Sequence, residues 1–182
     1  MHSYKYHVYK NFISEDESEI FNTWILNNYD TNTFRKTHHL GTVRKTTRGN
    51  KNILYPNIAF DIQKRIDNVI KNLFNIDELV RVPDFYHGMY GSYGTEGDAV
   101  RIHKDPRWFN NFITYHFNIM LSNYENGELY IDNNLVPLNK TDAVLYPVSE
   151  LTHYTSKLTG TKPRMFWCFG YCIPIQNTPF KV

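Results

Sequence analysis

Phe112-Ile113-Thr114-Tyr115-His116-Phe117-Asn118-Ile119-Met120-Leu121, followed after a short break by Glu125-Asn126-Gly127, sets the texture of the second half of the chain. A run rich in β-branched and aromatic side chains gives way to residues that favour reverse turns, which is how a strand and its turn are written. The pattern recurs on both sides. β-rich runs at 80–90, 98–104, 128–131, 135–138, 142–146, 151–157 and 164–173 are separated by Asp132-Asn133-Asn134, Asn139-Lys140-Thr141-Asp142 and Thr159-Gly160, among other turn signals. About eight short strands at this spacing predict a sandwich or barrel of the jelly-roll type.

Residues 1–78 read differently. A strand is expected over 4–9. Ser14 and Glu17 then make a capping box, and Ile20, Phe21, Trp24 and Ile25 follow at helical spacing until Asn27-Asn28. A second helix fits 57–74, where Ile58, Ile62, Ile66, Val69, Ile70 and Leu73 form one apolar stripe. Between the helices, 33–53 is polar and basic and reads as a strand pair or a mobile flap. Gly88, Gly91, Gly94 and Gly97 recur at every third position and read as a turn-rich loop. The expected fold class is α+β, mainly β. It is one domain over 1–182, with a helix–flap–helix preface (1–78) and two helices packed outside a jelly-roll core (79–173).

The chain has 182 residues, 41% of them hydrophobic and 21% charged, which suits a packed core rather than disorder. Lys and Arg number 20 and Asp and Glu 18, a net charge of +2, too balanced for a dedicated nucleic-acid or membrane-surface protein. Two cysteines, Cys168 and Cys172, lie close together in an apolar stretch and read as buried thiols, not as a disulfide scaffold. Met1-His2-Ser3-Tyr4-Lys5 carries no apolar signal core, and no window reaches the ~18 apolar residues of a membrane span. The expectation is a soluble, cytoplasmic protein. Abundant Asn, Lys, Ile and Tyr fit an AT-rich genome, such as that of a virus, a phage or a streamlined bacterium.

The chemistry begins at Val100-Arg101-Ile102-His103-Lys104-Asp105. Residues two apart on an extended strand point to one face, so His103 and Asp105 offer an imidazole nitrogen and a carboxylate oxygen to one point. Alone, the pair is common and reads equally well as a surface pair. His153 lies forty-eight residues after Asp105, enough chain for a jelly roll to return a strand beside the first. By itself it reads as a structural histidine. Together, two His and one Asp form the facial triad of non-haem Fe(II) oxygenases, with coordination positions left open. Arg164 follows His153 by eleven residues. A two-residue hairpin turn at Thr159-Gly160 would set Thr155 opposite Arg164, with His153 on the same face. A guanidinium binds carboxylate through paired hydrogen bonds, as a dicarboxylate cosubstrate chelated to a metal would require. Zinc is the rival metal for two His and an Asp; Arg164 favours iron.

His103-x-Asp105, His153 and Arg164 resemble the signature of the 2-oxoglutarate- and Fe(II)-dependent oxygenases, and within them the prolyl-4-hydroxylase-like branch. Further pieces fall in family order over roughly 85–172. Phe117-Asn118-Ile119-Met120-Leu121-Ser122 resembles the strand after the first ligand pair. Glu125-Asn126-Gly127-Glu128-Leu129 resembles a Gly-Gly-Glu-Leu turn with Asn126 in place of the first Gly. Asp142-Ala143-Val144-Leu145-Tyr146-Pro147 resembles the strand before the distal His, with Asp142 where Gly is usual. The resemblance implies a distorted double-stranded β-helix (jelly roll, cupin-like). His103, Asp105 and His153 would hold Fe(II) as the catalytic centre. 2-Oxoglutarate would chelate the iron, with Arg164 on its 5-carboxylate. Dioxygen would convert it to succinate and carbon dioxide while a substrate is hydroxylated, with ascorbate as reductant. Tyr93, ten residues before His103, stands where some members place a Tyr that bonds the cosubstrate, although a packed loop Tyr is an equal reading. Asn118 would reach the cosubstrate if its strand face looks inward, and Thr155 would reach the 5-carboxylate. His116 reads as a core residue or one behind the ligands. Some relatives carry a Tyr near Met120, which this chain lacks.

Two segments flank the expected mouth: Arg44-Lys45-Thr46-Thr47-Arg48 and Arg107-Trp108-Phe109. Arg44, Arg48, Arg107 and Trp108 are candidate substrate contacts, although a solvated basic loop explains the first segment as well. A positive, aromatic rim suits a peptide, a nucleotide base or a free acidic metabolite. Three functions stay open: hydroxylation of a peptidyl residue such as proline or of a related small molecule, oxidative demethylation or hydroxylation of nucleic acid, and non-catalytic metal binding by a jelly-roll module. The near-neutral charge disfavours the second. Arg164, which a purely structural metal site does not need, disfavours the third.

Overall fold

The computed structural model describes residues 6–39 and 42–180. In chain order the elements are β1 (His7–Tyr9), α1 (Glu15–Asn28), β2 (Arg35–His39), β3 (Thr42–Thr46), α2 (Asn57–Phe74), β4 (Val80–Arg81), β5 (Met89–Gly94), β6 (Phe112–Met120), β7 (Glu125–Asn126), β8 (Leu129–Ile131), β9 (Asn134–Val136), β10 (Ala143–Tyr146), β11 (His153–Thr155), β12 (Leu158–Thr159) and β13 (Arg164–Pro174). Of the strand expected over 4–9, Tyr4 and Lys5 lie outside the described residues.

Local chemistry explains both helices. The Ser14 hydroxyl accepts from the Glu17 N–H (3.1 Å) and the Glu17 carboxylate accepts from the Ser14 N–H (2.8 Å), so two otherwise orphaned donors at the start of α1 are satisfied. The buried side of α1 is Ser18, Phe21, Asn22 and Ile25, while Ile20 is exposed. Ser18 and Asn22 both donate to the Leu121 carbonyl, pinning the helix to the end of β6. α2 buries Ala59, Ile62, Ile66, Ile70 and Phe74, and Asn75 closes it in the left-handed region (φ 50°), which Asn tolerates. Ile58, Val69 and Leu73 flank that stripe without being fully buried.

The main sheet runs β1-β10-β6-β13-β5-β3-β2, with β4 also paired to β13. Strands from the preface (β1, β2 and β3) thus complete the same sheet as strands from the core. Two small sheets, β11-β8-β9 and β12-β7, complete the β structure. The central strand β13 is covered on both sides, which is why it reads as an unbroken apolar run. Its alternation is strict. Met165, Trp167, Phe169, Tyr171 and Ile173 join the core beneath α1 and α2, while Phe166, Cys168 and Cys172 join the inner cluster on the opposite face. β6 alternates in step, with Tyr115, Phe117 and Ile119 toward the helices. Every residue of β13 from Phe166 to Pro174 has a partner on β6.

Four expectations are corrected. Residues 80–90 do not form one strand. Pro83 follows β4, and His87 (φ 53°) and Gly88 (φ 75°) turn the chain before β5 begins. The glycine-spaced stretch is no loop over 89–94: β5 is an inner strand between β13 and β3. Gly91 lets the Trp167 ring close on the backbone, and a Cβ there would meet the indole at 3.1 Å. The hairpin around Thr159-Gly160 does not pair β11 with β13. Thr155 lies opposite Leu129 on β8, Leu158 and Thr159 pair with β7, and Arg164 lies opposite Gly94 on β5. The two strands enter different sheets because β13 finds longer apolar partners in β5 and β6 than a three-residue β11 provides. Finally, 98–104 is extended without forming a named strand, holding its neighbour through an isolated bridge.

Candidate active site

That bridge builds the site. His103 and His153 are antiparallel partners, each backbone N–H donating to the other's carbonyl at 3.1 and 2.9 Å. Two residues on, the Asp105 N–H donates to the Val148 carbonyl (2.9 Å), which fixes the carboxylate beside the rings. One ligand atom from each of His103, Asp105 and His153 lies within 4.8 Å of the others. His103 Nδ1 is 2.7 Å from the Arg101 carbonyl and His153 Nδ1 is 3.3 Å from the Leu151 carbonyl. A carbonyl only accepts, so each Nδ1 carries a hydrogen; the Nε2 of His153 is left with a lone pair for a metal, and the Nε2 of His103 offers one once a metal displaces the proton it shares with Asp105. His103 Nε2 stands 3.5 Å from Asp105 Oδ1.

The electrostatics suit a divalent cation. Burial opposes ionisation of Asp105, but the His103 hydrogen bond and the nearby His116, His153 and Arg48 outweigh it, so its pKa lies well below the usual carboxylate range. Burial pushes His153 down to about 4, so its imidazole is neutral at physiological pH. His103, hydrogen-bonded to Asp105, is raised despite its burial. His116 is buried on β6 with its Nε2 3.5 Å from the other carboxylate oxygen of Asp105, and burial holds it down to about 3.

The cleft lies between the inner face of the main sheet and strands β8 and β11. Its wall includes Arg44, Arg48, Tyr90, His116, Asn118, Tyr146, Thr155, Arg164 and Phe166. Strand alternation delivers Arg164 there, on the same side of β13 as Phe166. It is 8% exposed and has no ion-pair partner among the described residues. Its guanidinium carbon lies 5.1 Å from the Phe166 ring centre and 5.5 Å from that of Tyr124, and its Nε has no hydrogen-bond partner. Burial lowers its pKa, with Tyr124 opposing that shift. Asn118 Nδ2 donates to the Tyr146 hydroxyl (3.1 Å), while its buried Oδ1 is unpartnered. Thr155 Oγ1 accepts from the Val100 N–H (2.9 Å) and keeps its own hydrogen to donate. A buried unpaired cation beside two imidazoles and a carboxylate is the lining that a metal-bound diacid would satisfy, whereas the Asn118 amide oxygen, an acceptor, calls for a donor such as a water or a substrate N–H or O–H.

The structure separates the other candidates. Tyr93 does not face the cleft. β5 sends Tyr90 inward and Tyr93 to the opposite side, where it stacks on Tyr29 with ring centres 4.3 Å apart. Arg44 and Arg48 do line the cleft, and Arg48 Nε donates to Asp84 (2.7 Å). Arg107 and Trp108 lie outside it. Arg107 makes a two-pronged contact with Glu150 (2.7 Å twice), and Trp108 packs against the cluster around Val82 and Phe85. Tyr90 and Tyr146 are wall residues that the sequence reading did not single out, as is Tyr124, which packs beside the Arg164 guanidinium without lining the cleft. Only Tyr146 carries a local signal, since it alternates with Val144 on the inner side of β10.

No protein-family model and no curated protein matches this sequence. Solved structures do. A prolyl-4-hydroxylase of Pseudomonas putida superposes with a TM-score of 0.70 at 10% identity, over 93% of this chain and 92% of that one. A prolyl hydroxylase of Trichoplax adhaerens, solved with a hypoxia inducible factor peptide fragment, gives 0.73 at 12% identity, over 96% of this chain and 86% of that one. The chain has the double-stranded β-helix fold of the prolyl hydroxylases. A viral collagen prolyl hydroxylase from Paramecium bursaria Chlorella virus-1, solved with 2-oxoglutarate, shares this fold with a TM-score of 0.67 at 12% identity, over 93% of this chain and 96% of that one. In this double-stranded β-helix no helix among the described residues is long and apolar enough to cross a membrane.

Proposed function

We propose that this chain is a 2-oxoglutarate- and Fe(II)-dependent dioxygenase that hydroxylates a peptidyl residue, proline first among candidates, or a related small molecule. One observation carries the reading: an unpaired buried guanidinium, Arg164, shares a cleft with the convergent ligand atoms of His103, Asp105 and His153. A metal alone needs no such cation, and a structural site would not leave one desolvated, because a buried unpaired charge is destabilising. The solved relatives named above point the same way.

His103, Asp105 and His153 would hold the iron, leaving positions for cosubstrate and dioxygen. Bound iron and 2-oxoglutarate would supply the dioxygen chemistry that yields succinate and carbon dioxide and oxidises a C–H bond. The protein's part is placement. Arg164 anchors the distal carboxylate, and the Thr155 hydroxyl has a hydrogen to donate to it. Asn118 and Tyr146 set the polar wall beside the ligands. Tyr90 and Phe166 keep water from the region where charge is handled. Ascorbate would serve as reductant.

Nucleic acid is the weaker alternative, because the net charge of +2 is near neutral and Arg48 in the cleft wall is tied to Asp84. The test is succinate formation from 2-oxoglutarate with Fe(II), dioxygen and ascorbate, alone and with proline-containing peptides, while mass spectrometry looks for products that gain one oxygen atom. Absence of succinate under every condition, with Fe(II) demonstrably bound, would leave a metal-binding module instead.

A further inference from the structure

The proposed site leaves one cation without a counter-charge. Arg48, Arg65, Arg81 and Arg107 each hold a carboxylate: Asp84, Glu17, Asp67 and Glu150. Arg44 and Arg164 do not, and both stand in the cleft. Arg44 reaches it by alternation. Lys45 pairs with Tyr93 and Thr46 with Ser92, so Lys45 shares the helix side of the sheet while Arg44 and Thr46 share the cleft side. Its guanidinium carbon lies 5.3 Å from the Phe166 ring centre and 5.9 Å from that of Tyr90, and its Nε is buried without a hydrogen-bond partner. Asp98, on the side channel that Arg44 and Arg164 both line, is not part of the cleft wall itself and forms no ion pair with either arginine; it accepts from the Thr95 N–H (2.8 Å).

Charge accounting then singles out Arg44. Iron(II) and the dianion 2-oxoglutarate cancel. Asp105 and Arg164 cancel, and so do Asp84 and Arg48. Arg44 is left over in a low-dielectric wall, where one unmatched cation favours one unit of negative charge on whatever enters. We propose that the substrate presents a carboxylate to Arg44, an inference that rests on the reading of Arg164 as the cosubstrate's anchor. A carboxylate matches the single surplus charge and the fork of the guanidinium; a phosphate would bring nearly two charges and overshoot. The carboxylate can be the end of a small acid or an acidic side chain within a peptide.

The probe is acetate, with acetamide as its neutral isostere. The protein is loaded with Mn(II) and saturating 2-oxoglutarate, and relaxation of the probe's methyl protons by the metal reports binding near it. Acetate is expected to saturate and acetamide to bind at least about tenfold more weakly, as for one charge-assisted pair. Arg44→Gln should abolish the difference, Arg44→Lys should restore part of it, and 2-oxoglutarate affinity should stay within about twofold in both. N-acetylglycine and acetyl-Gly-Asp-Gly-amide, each against its own amide, then tell a terminal carboxylate from a side-chain one. Equal binding of acetate and acetamide to the wild-type protein overturns the inference alone, as does a loss of 2-oxoglutarate affinity in Arg44→Gln, which would move Arg44 into the cosubstrate site. Failure of 2-oxoglutarate to bind the Mn(II) protein at all overturns the proposed function and this inference with it.

Discussion

His103 and His153 meet as a two-residue antiparallel bridge, so the backbone itself holds their imidazoles with ring centres 4.3 Å apart. The bridge is made by main-chain groups and survives loss of either side chain. We therefore expect His103→Ala and His153→Ala to fold with nearly unchanged melting temperature, yet to lose Mn(II) affinity more than about a hundredfold and to form no succinate. The comparison point is the 10–100-fold typical of residues one step behind the ligands. Equilibrium dialysis with Mn(II) checks this, and a His153→Ala protein that retains wild-type metal affinity would remove the metal centre from this place.

Arg164 makes opposite contributions to function and to the stability of the unliganded fold. Paired charge-assisted hydrogen bonds are worth roughly 1.5–3 kcal/mol, so Arg164→Met should weaken 2-oxoglutarate binding by about ten- to hundredfold. In the unliganded protein the same side chain is a desolvated cation with an orphaned Nε, and an apolar replacement of similar length should leave thermal stability equal or higher. Isothermal titration with 2-oxoglutarate and a melting curve of the apoprotein test the two halves separately. A variant that binds 2-oxoglutarate as well as the wild type contradicts the anchor role.

Much of this was legible in the sequence where the controlling physics is local. The capping box at Ser14 and Glu17 is a matter of three residues, and α2 follows from its apolar stripe. The pair His103 and Asp105 follows from strand alternation alone. What escaped depends on which strand pairs with which. The hairpin expectation takes Thr159-Gly160 as a two-residue turn that sets Thr155 opposite Arg164, whereas β13 inserts between β5 and β6. Arg164 still reaches the cleft, because parity along β13 and not the hairpin decides its side. Tyr93 was misplaced for the same reason. Its spacing from His103 says nothing about parity until Arg164 is known to lie opposite Gly94. Once it is, Tyr93 must share the helix side with Met165. Asn126 stands in for the usual Gly because it too accepts the left-handed region, at φ 54°. It follows that Tyr93→Phe should leave the dissociation constant of 2-oxoglutarate unchanged, while Asn118→Ala, on the cleft side, should raise it several-fold. The reverse ranking in the same titration would contradict the assignment of faces.

His116 is not among the converging ligands, but its Nε2 faces the Asp105 oxygen that points away from His103. It packs against Phe85 and Tyr146, with ring centres 5.3 and 6.3 Å away, so it has little freedom to turn. We read it as a positioning residue that holds the carboxylate in one orientation. His116→Phe should lower Mn(II) affinity by about 10–100-fold, His116→Gln should recover part of the loss through its amide N–H, and the melting temperature should track neither change. If both variants bind metal equally and differ from the wild type only in stability, the role is packing alone.

Asp142 stands where the strand motif that this segment resembles usually has a Gly, and the structure gives it a role of its own. Its side chain is 2% exposed and accepts from Lys10 Nζ (2.7 Å), the Asn11 N–H (3.0 Å) and the Asn139 N–H (2.9 Å), tying the segment after β1 to the turn before β10. Burial opposes its ionisation, but Lys10 and the two backbone donors outweigh that, so its folded pKa lies below the ordinary value of 3.8. A depressed carboxylate pKa means that the stabilisation is fully present above the unfolded value and is lost as pH falls through the folded one. Asp142→Asn keeps the shape but removes the charge and turns one acceptor into a donor. It should cost about 1–3 kcal/mol near neutral pH, and the gap to the wild type should narrow on acidification below about pH 4. Urea denaturation at both pH values measures this directly, and a gap that does not change with pH would mean that the charge of Asp142 contributes nothing to holding the two segments together.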